Sequence, residues 1–397
     1  MIIYGNASKL AGFLFLLASS SVISQDAALV ATLDPTEKLQ PGVSLVWSPT
    51  GQAAWDMMKL FHKVDAIELD PPSPAATYLN KFKWDATKVM PPGTYIFGGM
   101  DSRLARQEVR EQVRRLAGPN AAAMIDEYLP PGPVAPGVQR LDSALFVSCL
   151  AQKTKFPGRF LPDAKPRPFK SKSTATLALG FGCSGSHSST FAQNVVVLKD
   201  DLNGCSVLKL ALYSETPELS QSLILLRHPQ LKSMDQGLAI SREAIKNPMP
   251  ELSIVEAAGK NWRYTHQLLE GDTFWMPRLK ASLLSDFPEI TDRSYLRMPD
   301  PERPGYSTEW RIREAKQFLH LDLNHEGALV EAVFKIVPDF LSIGGGSSAP
   351  DVDINKLPDY PKHFIHNQPF LACLWLKDAE WPYLACWVDG PGLLRAQ

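Results

Sequence analysis

Two neighbouring stretches near the end of the chain alternate between apolar and polar residues. In Phe318–Asn324 the leucines recur at every second position, which is typical of a strand with one buried face. After a turn at residues 324–327 the alternation resumes and breaks at Pro338. One face of this second run carries Ala328, Val330, Ala332, Phe334 and Ile336. Residues 343–350 are rich in Gly and Ser, which predicts an exposed loop.

Apolar runs at the two ends of the chain predict further elements. Phe370–Leu376 and Pro382–Val388 predict a terminal hairpin of buried strands. Near the start, Val43–Pro49 predicts a short strand. We expect Thr50 to cap the following helix, Gly51 to about Lys63, whose apolar residues lie at helical spacing.

The chain has five cysteines, and their positions suggest disulfides without fixing them. A hairpin turn centred at residues 379–380 would set Cys373 opposite Cys386, with Cα atoms about 4.5–5.5 Å apart and within disulfide reach. A register shift of one residue would separate them, and two buried thiols are the alternative. Cys183 and Cys205 are a second candidate pair.

Composition favours a globular protein, and the absence of C-x-x-C, H-E-x-x-H and P-loop motifs predicts no cofactor. The 397 residues are 45% hydrophobic and 21% charged, enough to bury a large core. The net charge of -1 gives no reason to expect nucleic acid or a membrane surface as a partner. His363 and His366 are the one close histidine pair and would point to opposite faces of a strand, so no metal site is predicted. The glycines around Ser184 do not form G-x-S-x-G, and no base is evident, so we predict that the chain is not an enzyme.

The N-terminus has the pattern of a secretory signal peptide. Leu10–Ala18 is a short apolar run after Lys9, followed by small and branched residues up to Ser24. We therefore predict a signal peptide over residues 1–24 and a secreted or extracytoplasmic protein. The alternative is a buried N-terminal helix.

Taken in order, these stretches resemble the serpin family over residues 43–391. The matching residues are Ser48-Pro49 at the first strand, Asn324–Ala328 at the hinge, and Pro369–Leu371 and Pro382–Pro391 at the last two strands. The resemblance implies an α+β serpin-like fold with three β-sheets, surrounding helices and an exposed reactive-type loop. It also implies a single domain over residues 25–397, with the loop at about 338–362, and in the family a short helix would close on Ile290.

The resemblance implies a function that requires no catalytic residue. A serpin inhibitor offers a bait bond to a protease, and the cut loop then inserts as a new strand of the large sheet. The implied hinge here comprises Glu326, Gly327, Ala328, Val330 and Ala332. Counting from Gly327 by the family spacing places the bait bond at Leu341-Ser342, which suits a chymotrypsin- or elastase-like extracellular serine protease. Counting back from Pro369 gives Lys356–Pro358, which suits a trypsin-like protease, and we prefer the first count.

Three features argue against insertion. Phe334 is large for the inward face, and overpacking costs about 1–3 kcal/mol. Pro338 cannot donate to a central ladder. The 42 residues from Gly327 to Pro369 exceed the family spacing by about a dozen or more. A protease attached to the end of such a long segment would be held under less tension after insertion. The family resemblance nevertheless sets the predicted function, a secreted, monomeric serine-type endopeptidase inhibitor. The three features favour the alternative, a non-inhibitory serpin-fold binding protein.

A second helix is predicted over Arg103–Ala117, capped by Ser102. Its arginines at 103, 106, 110 and 114 line one side. In some serpins a basic helix binds sulphated polysaccharide, but the interspersed acids favour a solvated face with ion pairs. Residues 49–141 are fewer than in typical serpins. Either the helix that crosses the large sheet is missing, or Arg103–Ala117 is that helix.

Overall fold

The fold is described from a computed structural model. The described residues are 29–130, 144–158, 160–171, 173, 175–184, 194–201, 204–214, 220–257, 260–269, 271–299, 307–335, 340–341 and 359–394. The predicted signal peptide lies outside them, as do residues 336–339 and 342–358 of the chain around the predicted loop.

The described part of the chain forms short helices and many strands. The helices are α1 (Thr50–His62), α2 (Pro74–Lys81), α3 (Ala86–Val89), α4 (Arg103–Leu116), α5 (Pro119–Tyr128) and α6 (Met234–Lys246). The strands are β1 (Leu29–Ala31), β2 (Ser44–Trp47), β3 (Leu69–Asp70), β4 (Phe82–Lys83), β5 (Tyr95–Met100), β6 (Ala144–Lys155), β7 (Leu161–Pro162), β8 (Arg167–Lys170), β9 (Ala175–Ala178), β10 (Gly180–Cys183), β11 (Val195–Asp200), β12 (Ser206–Ser214), β13 (Ser220–Arg227), β14 (Leu252–Ala257), β15 (Lys260–Thr265), β16 (Thr273–Pro277), β17 (Leu279–Asp286), β18 (Ser294–Pro299), β19 (Ser307–Arg311), β20 (Lys316–Asn324), β21 (Gly327–Lys335), β22 (Phe340–Leu341), β23 (His363–Ile365), β24 (Phe370–Leu376) and β25 (Leu384–Val388).

Three main sheets organise these strands. The first, which we call the hinge sheet, has the order β5-β6-β21-β20-β17. The second, the hairpin sheet, has the order β1-β2-β25-β24-β13-β12-β11 and joins the first where the ends of β12 and β6 pair over two residues. The third has the order β23-β16-β10-β7. With its helices and short extra pairings, this arrangement confirms the predicted α+β serpin-like fold class.

Helix α1 packs on one face of the hinge sheet through Ala54, Trp55 and Met58, which are fully buried. The predicted helix is confirmed to within one residue at each end. The expected cap is wrong, because the helix starts after Pro49 without a side-chain cap and Thr50 lies inside it. The Thr50 hydroxyl instead accepts a buried hydrogen bond of 3.0 Å from the Gln317 amide, which ties α1 to β20.

Helices α4 and α5 cover the opposite face of the hinge sheet. Val109 and Val113 of α4 and Ile125 of α5 pack with Val147 of β6 and Val333 of β21. Ser102 caps α4 as predicted, its hydroxyl accepting a bond of 3.1 Å from the Ala105 amide. Of the two alternatives for this region, the structure therefore supports the one in which the 103–117 helix crosses the large sheet.

The terminal hairpin forms as predicted, but its register is shifted by one residue. Cys373 lies opposite Ala385, and Cys386 lies opposite Ala372, so the two thiols point to opposite faces of the sheet. The predicted Cys373–Cys386 disulfide is therefore wrong. Cys183 and Cys205 are also free and buried, and burial raises the pKa of Cys386 to about 12 and of Cys183 to about 11. These thiols stay protonated at neutral pH.

The short helix expected before Ile290 is replaced by a strand. Leu279–Asp286 forms β17 and pairs with β20 along the edge of the hinge sheet. None of the helices in the described part of the chain is long and apolar enough to cross a membrane.

Candidate functional site

The candidate site is β21, the strand in the middle of the hinge sheet that contains all of the predicted hinge residues except Glu326. It is antiparallel to β20 on one side and to β6 on the other. Its nine residues, Gly327–Lys335, are in register with both neighbours along their whole length. The strand is thus inserted in the sheet rather than exposed as a loop.

The turn into β21 is fixed by close backbone contacts. The Asn324 side chain accepts a bond of 2.9 Å from the Glu326 amide, and the Glu326 carbonyl accepts one of 2.9 Å from the Phe156 amide. A Cβ atom on Gly327 would lie 2.0 Å from the Thr154 carbonyl oxygen. Only glycine permits this approach of β21 to β6 at the hinge.

The inward face of β21 is completely buried. Ala328, Val330 and Ala332 belong to the main hydrophobic core with residues of the hairpin sheet. Their small size lets the strand lie between β6 and β20 without displacing the core. The Thr154 hydroxyl also donates a bond of 3.2 Å to the Ala328 carbonyl, which secures the start of the strand.

Phe334, expected to block insertion, is instead accommodated. It is 0% exposed, and its ring lies 5.4 Å from that of Phe287 in a tilted aromatic pair. Room for it comes from Gly51 in the first turn of α1, where a Cβ atom would approach the Phe334 ring to 3.1 Å. The absent side chain at residue 51 and the large one at residue 334 are complementary.

The opposite face of β21 carries a buried carboxylate that the sequence pattern did not reveal. Glu331 is 1% exposed and lies against the α4–α5 junction, where a Cβ atom on Gly118 would be 2.1 Å from Glu331 Oε1. Among the described residues, Glu331 Oε2 has no hydrogen-bond partner. Burial, with a smaller effect of the Glu331 charge, raises the pKa of Cys149 to about 12. Across the strands, Glu331 is directly opposite His320, whose Nδ1 is 2.7 Å from the Ser282 hydroxyl.

Three arginines of α4 are engaged in ion pairs. Arg106 contacts both carboxylate oxygens of Asp101 at 2.6 Å. Arg110 and Arg114 share Asp126 of α5. These pairs fit the interpretation of a solvated helix face rather than a polysaccharide-binding stripe.

Comparisons with known proteins give the following result. No protein-family model matches the chain, and no curated protein matches it. The solved structures that it resembles are serpins. They include a cleaved Serpin 42Da, with 12% identity, a TM-score of 0.38 and coverage of 64% of this chain and 57% of that one.

Two further similar structures are described in the same terms. The thermophilic serpin tengpin in its latent state has 10% identity and a TM-score of 0.36, with 79% of each chain covered. A loop-inserted, cleaved ovalbumin mutant has 11% identity and a TM-score of 0.39, with 77% of each chain covered. The chain spans 57% of the length of Serpin 42Da, the first of the three.

The serpin-type bait bond predicted from the hinge falls at the edge of the described residues. Leu341 lies in β22, which pairs in parallel with β4 through Phe340 with Phe82 and Leu341 with Lys83. Ser342 and the alternative bond region, residues 356–358, lie outside the described residues, as does Pro338. The position of the bond stays a prediction.

The chain beyond the loop is anchored by polar contacts that sequence reasoning missed. Asp359 accepts two bonds from Arg263, of 2.6 and 2.9 Å, and the Tyr360 ring stacks on Tyr264. Lys362, 1% exposed, forms an ion pair of 3.0 Å with Asp272. The sequence around Lys362, Pro-Lys-His-Phe-Ile at 361–365, has no clear alternation that would signal a buried lysine.

The two histidines considered for a metal occupy different environments. His363 is exposed in β23, whereas His366 is fully buried and its Nδ1 donates to the Trp275 carbonyl at 3.3 Å. Burial, with a smaller effect of Arg227, lowers the pKa of His366 to about 3. Among the described residues, no group of three or more His, Cys, Asp or Glu side chains is placed to hold a metal ion.

Proposed function

We propose that the protein is a secreted, serpin-like inhibitor of serine-type endopeptidases that acts by loop cleavage and insertion. The observation that carries the proposal is β21, a strand of small inward residues paired over its whole length with β6 and β20. A sheet that accepts the segment after the hinge as a central strand has the property that this mechanism needs.

The mechanism assigns the chemistry to the protease. A chymotrypsin- or elastase-like enzyme would attack the bond after Leu341 and form an acyl-enzyme on its own serine. The hinge residues Glu326 and Gly327 would then let the new strand enter the sheet. Because β21 ends at Lys335, three residues before Pro338, the proline need not join the ladder. The active form would be the one in which β21 is outside the sheet.

The test is to incubate the protein with chymotrypsin and with elastase and to look for a complex that survives SDS. We expect such a complex for the natural sequence. Ala332→Arg should be cut without trapping, because residue 332 is 0% exposed in the sheet and a charge there would oppose insertion. Leu177→Arg, at a residue 58% exposed, is the matched control and should trap normally. Cleavage without any SDS-stable complex would refute inhibition by insertion.

One observation favours the second candidate, a non-inhibitory serpin-fold binding protein. The uncut chain has β21 in the hinge sheet while β23, beyond the loop, remains paired with β16. Insertion without cleavage would leave no stored free energy for trapping a protease. In that case the natural sequence and Ala332→Arg would both fail to form a complex.

A further inference from the structure

A pocket distant from β21 brings together cationic side chains from separate parts of the chain. It has a volume of about 570 Å³ and lies where the end of β8, the turn before β12, the end of β13 and the segment before β24 meet. Its cationic and hydrogen-bonding walls come from Lys170, Arg227 and His228. This volume is within the range of about 300–1,000 Å³ that small-molecule sites occupy.

The described residues that line this pocket supply no acidic partner for its cations. No aspartate or glutamate is among the described residues that line it. Within the described part of the chain, neither Lys170 nor Arg227 forms an ion pair. Asp201, beyond the turn, accepts a bond of 3.0 Å from the Cys205 amide. Among the described residues that line the pocket, cationic side chains are therefore present without acidic ones, which favours an anion.

The histidine adds a hydrogen-bond donor of defined orientation. The Gln230 amide donates to His228 Nδ1 at 3.2 Å, so Nδ1 is the acceptor and the ring hydrogen of the neutral form is on Nε2. Buried His366, whose pKa is lowered by burial and to a smaller extent by Arg227, is neutral and adds no positive charge near the pocket.

Hydrogen bonds hold the walls of the pocket in place. The Lys170 amide donates to the Asn367 carbonyl at 2.7 Å, and the Ser171 hydroxyl donates to the Asp389 carbonyl at 2.6 Å. Arg227 Nε donates to the Gly204 carbonyl at 3.3 Å, which leaves its terminal nitrogens for a ligand. These bonds fix the backbone around the pocket and the Arg227 side chain before a ligand binds, which reduces the ordering that binding requires. Pro229 and Pro369 add apolar surface, and the nearly buried Trp387 also lines the pocket.

We propose that this pocket binds a small organic molecule through an oxyanion group: a carboxylate, a sulfate or a phosphate. Arg227 and Lys170 would pair with the oxyanion, His228 Nε2 would donate to it, and the prolines would contact the organic body. This binding is independent of the protease-inhibitor function proposed above.

The test is calorimetric titration of the full protein at low salt with phenyl phosphate, benzoate and uncharged benzyl alcohol. We expect both anions to bind, more weakly as salt is added, and benzyl alcohol not to bind. Lys170→Gln, at an exposed residue, should weaken anion binding about tenfold, and Arg227→Gln should do the same. Lys377→Gln, at an exposed lysine of another surface, is the control and should bind as the natural sequence does.

Three results would overturn the proposal. They are equal binding of benzyl alcohol, equal losses in Lys170→Gln and Lys377→Gln, or no binding of either anion at millimolar concentration. Inorganic phosphate that binds as tightly as phenyl phosphate would refute the organic part of the ligand. Ligand-free melting of each variant shows whether it is folded, so a loss of binding in a folded Lys170→Gln protein is interpretable.

Discussion

At the scale of single residues, Phe334 shows why the sequence could not predict the fit of the inserted strand. The alternation correctly placed it on the inward face, and its volume correctly suggested a packing conflict. The residue that resolves the conflict, Gly51, is far away in the sequence and lies in a different element. Periodicity indicates which face a residue takes, but complementarity between distant residues depends on the tertiary packing.

This pairing can be tested by a double-mutant cycle. Phe334→Ala should lower the free energy of unfolding by about 3–5 kcal/mol, because it leaves a cavity between α1 and the hinge sheet. Gly51→Ala in the natural protein should destabilise, since its Cβ atom would lie 3.1 Å from the Phe334 ring and 2.8 Å from Leu33. In the Phe334→Ala background the same change should cost less, with a coupling of about 1 kcal/mol. Urea unfolding of the four proteins measures the coupling, and strictly additive effects would contradict it.

Glu331 illustrates a residue whose role only the structure reveals. From the sequence it is a charged position on the face opposite Ala328 and Val330, and nothing in the pattern indicates that this face is buried. The α4–α5 pair covers that face, so the carboxylate is buried. A charge out of water costs several kcal/mol unless it is paired, so Glu331 opposes insertion of the strand that carries it.

At the scale of elements, the sequence predicted which helices and strands exist and their order along the chain, but not the register in which strands pair. The terminal hairpin, α1 and α4 all follow from apolar periodicity and turn signals. The hairpin register is off by one because the connection is asymmetric: Asp378 adopts a left-handed conformation, and the Ala379 carbonyl accepts a bond of 2.8 Å from the Trp375 indole. A turn assigned from composition does not fix such details, and one residue is enough to separate two cysteines.

The anchor of β23 is the element-scale feature with the clearest energetic consequence. Lys362 and Asp272 are 1% and 5% exposed in their side chains, and Lys362 Nζ also donates to the Thr265 hydroxyl at 3.0 Å. Removing one partner of a buried pair leaves the other charge uncompensated, at a cost of about 3–5 kcal/mol.

We therefore expect Lys362→Met to lower the free energy of unfolding by about 3–5 kcal/mol and to weaken the pairing of β23 with β16. The control is Lys316→Met, which breaks a pair of 3.2 Å whose Asp286 is 65% exposed and should cost less than about 1 kcal/mol. Urea unfolding gives the stabilities, and hydrogen exchange of the Thr273–Trp275 amides reports on the strand. Similar losses in both variants would show that the buried pair has no special role.

At the scale of the whole molecule, the order of landmarks predicted the fold but not the state of the loop. The resemblance implied an exposed loop at about 338–362 and a segment after Gly327 that inserts once the loop is cut, whereas the structure has this segment in the hinge sheet of an uncut chain. Lys335 and Asp359 are 24 residues apart in the sequence. An extended chain of that length spans about 80 Å, well beyond the roughly 30 Å of a nine-residue strand. The long connection between Lys335 and Asp359 was expected only to reduce the tension on a bound protease. It is also long enough for β21 to insert while β23 stays paired with β16.

This length leads to a prediction about the melting temperature. If freshly folded protein has β21 outside the sheet, cutting the chain within residues 342–358 should raise the midpoint by at least about 10 °C, because a central strand is gained. The long connection also allows insertion without a cut, so warming the uncut protein below its midpoint should produce the same stabilised form slowly. Ala332→Arg, which opposes insertion, should show no rise in midpoint after cutting or after warming. Differential scanning calorimetry measures the midpoint of the cut, the warmed and the variant protein.

A natural-sequence midpoint that is already high and changes with neither cutting nor warming would mean that β21 is inserted from the outset. That outcome would contradict inhibition by insertion and favour the non-inhibitory binding protein, since no free energy would remain to be released on cleavage.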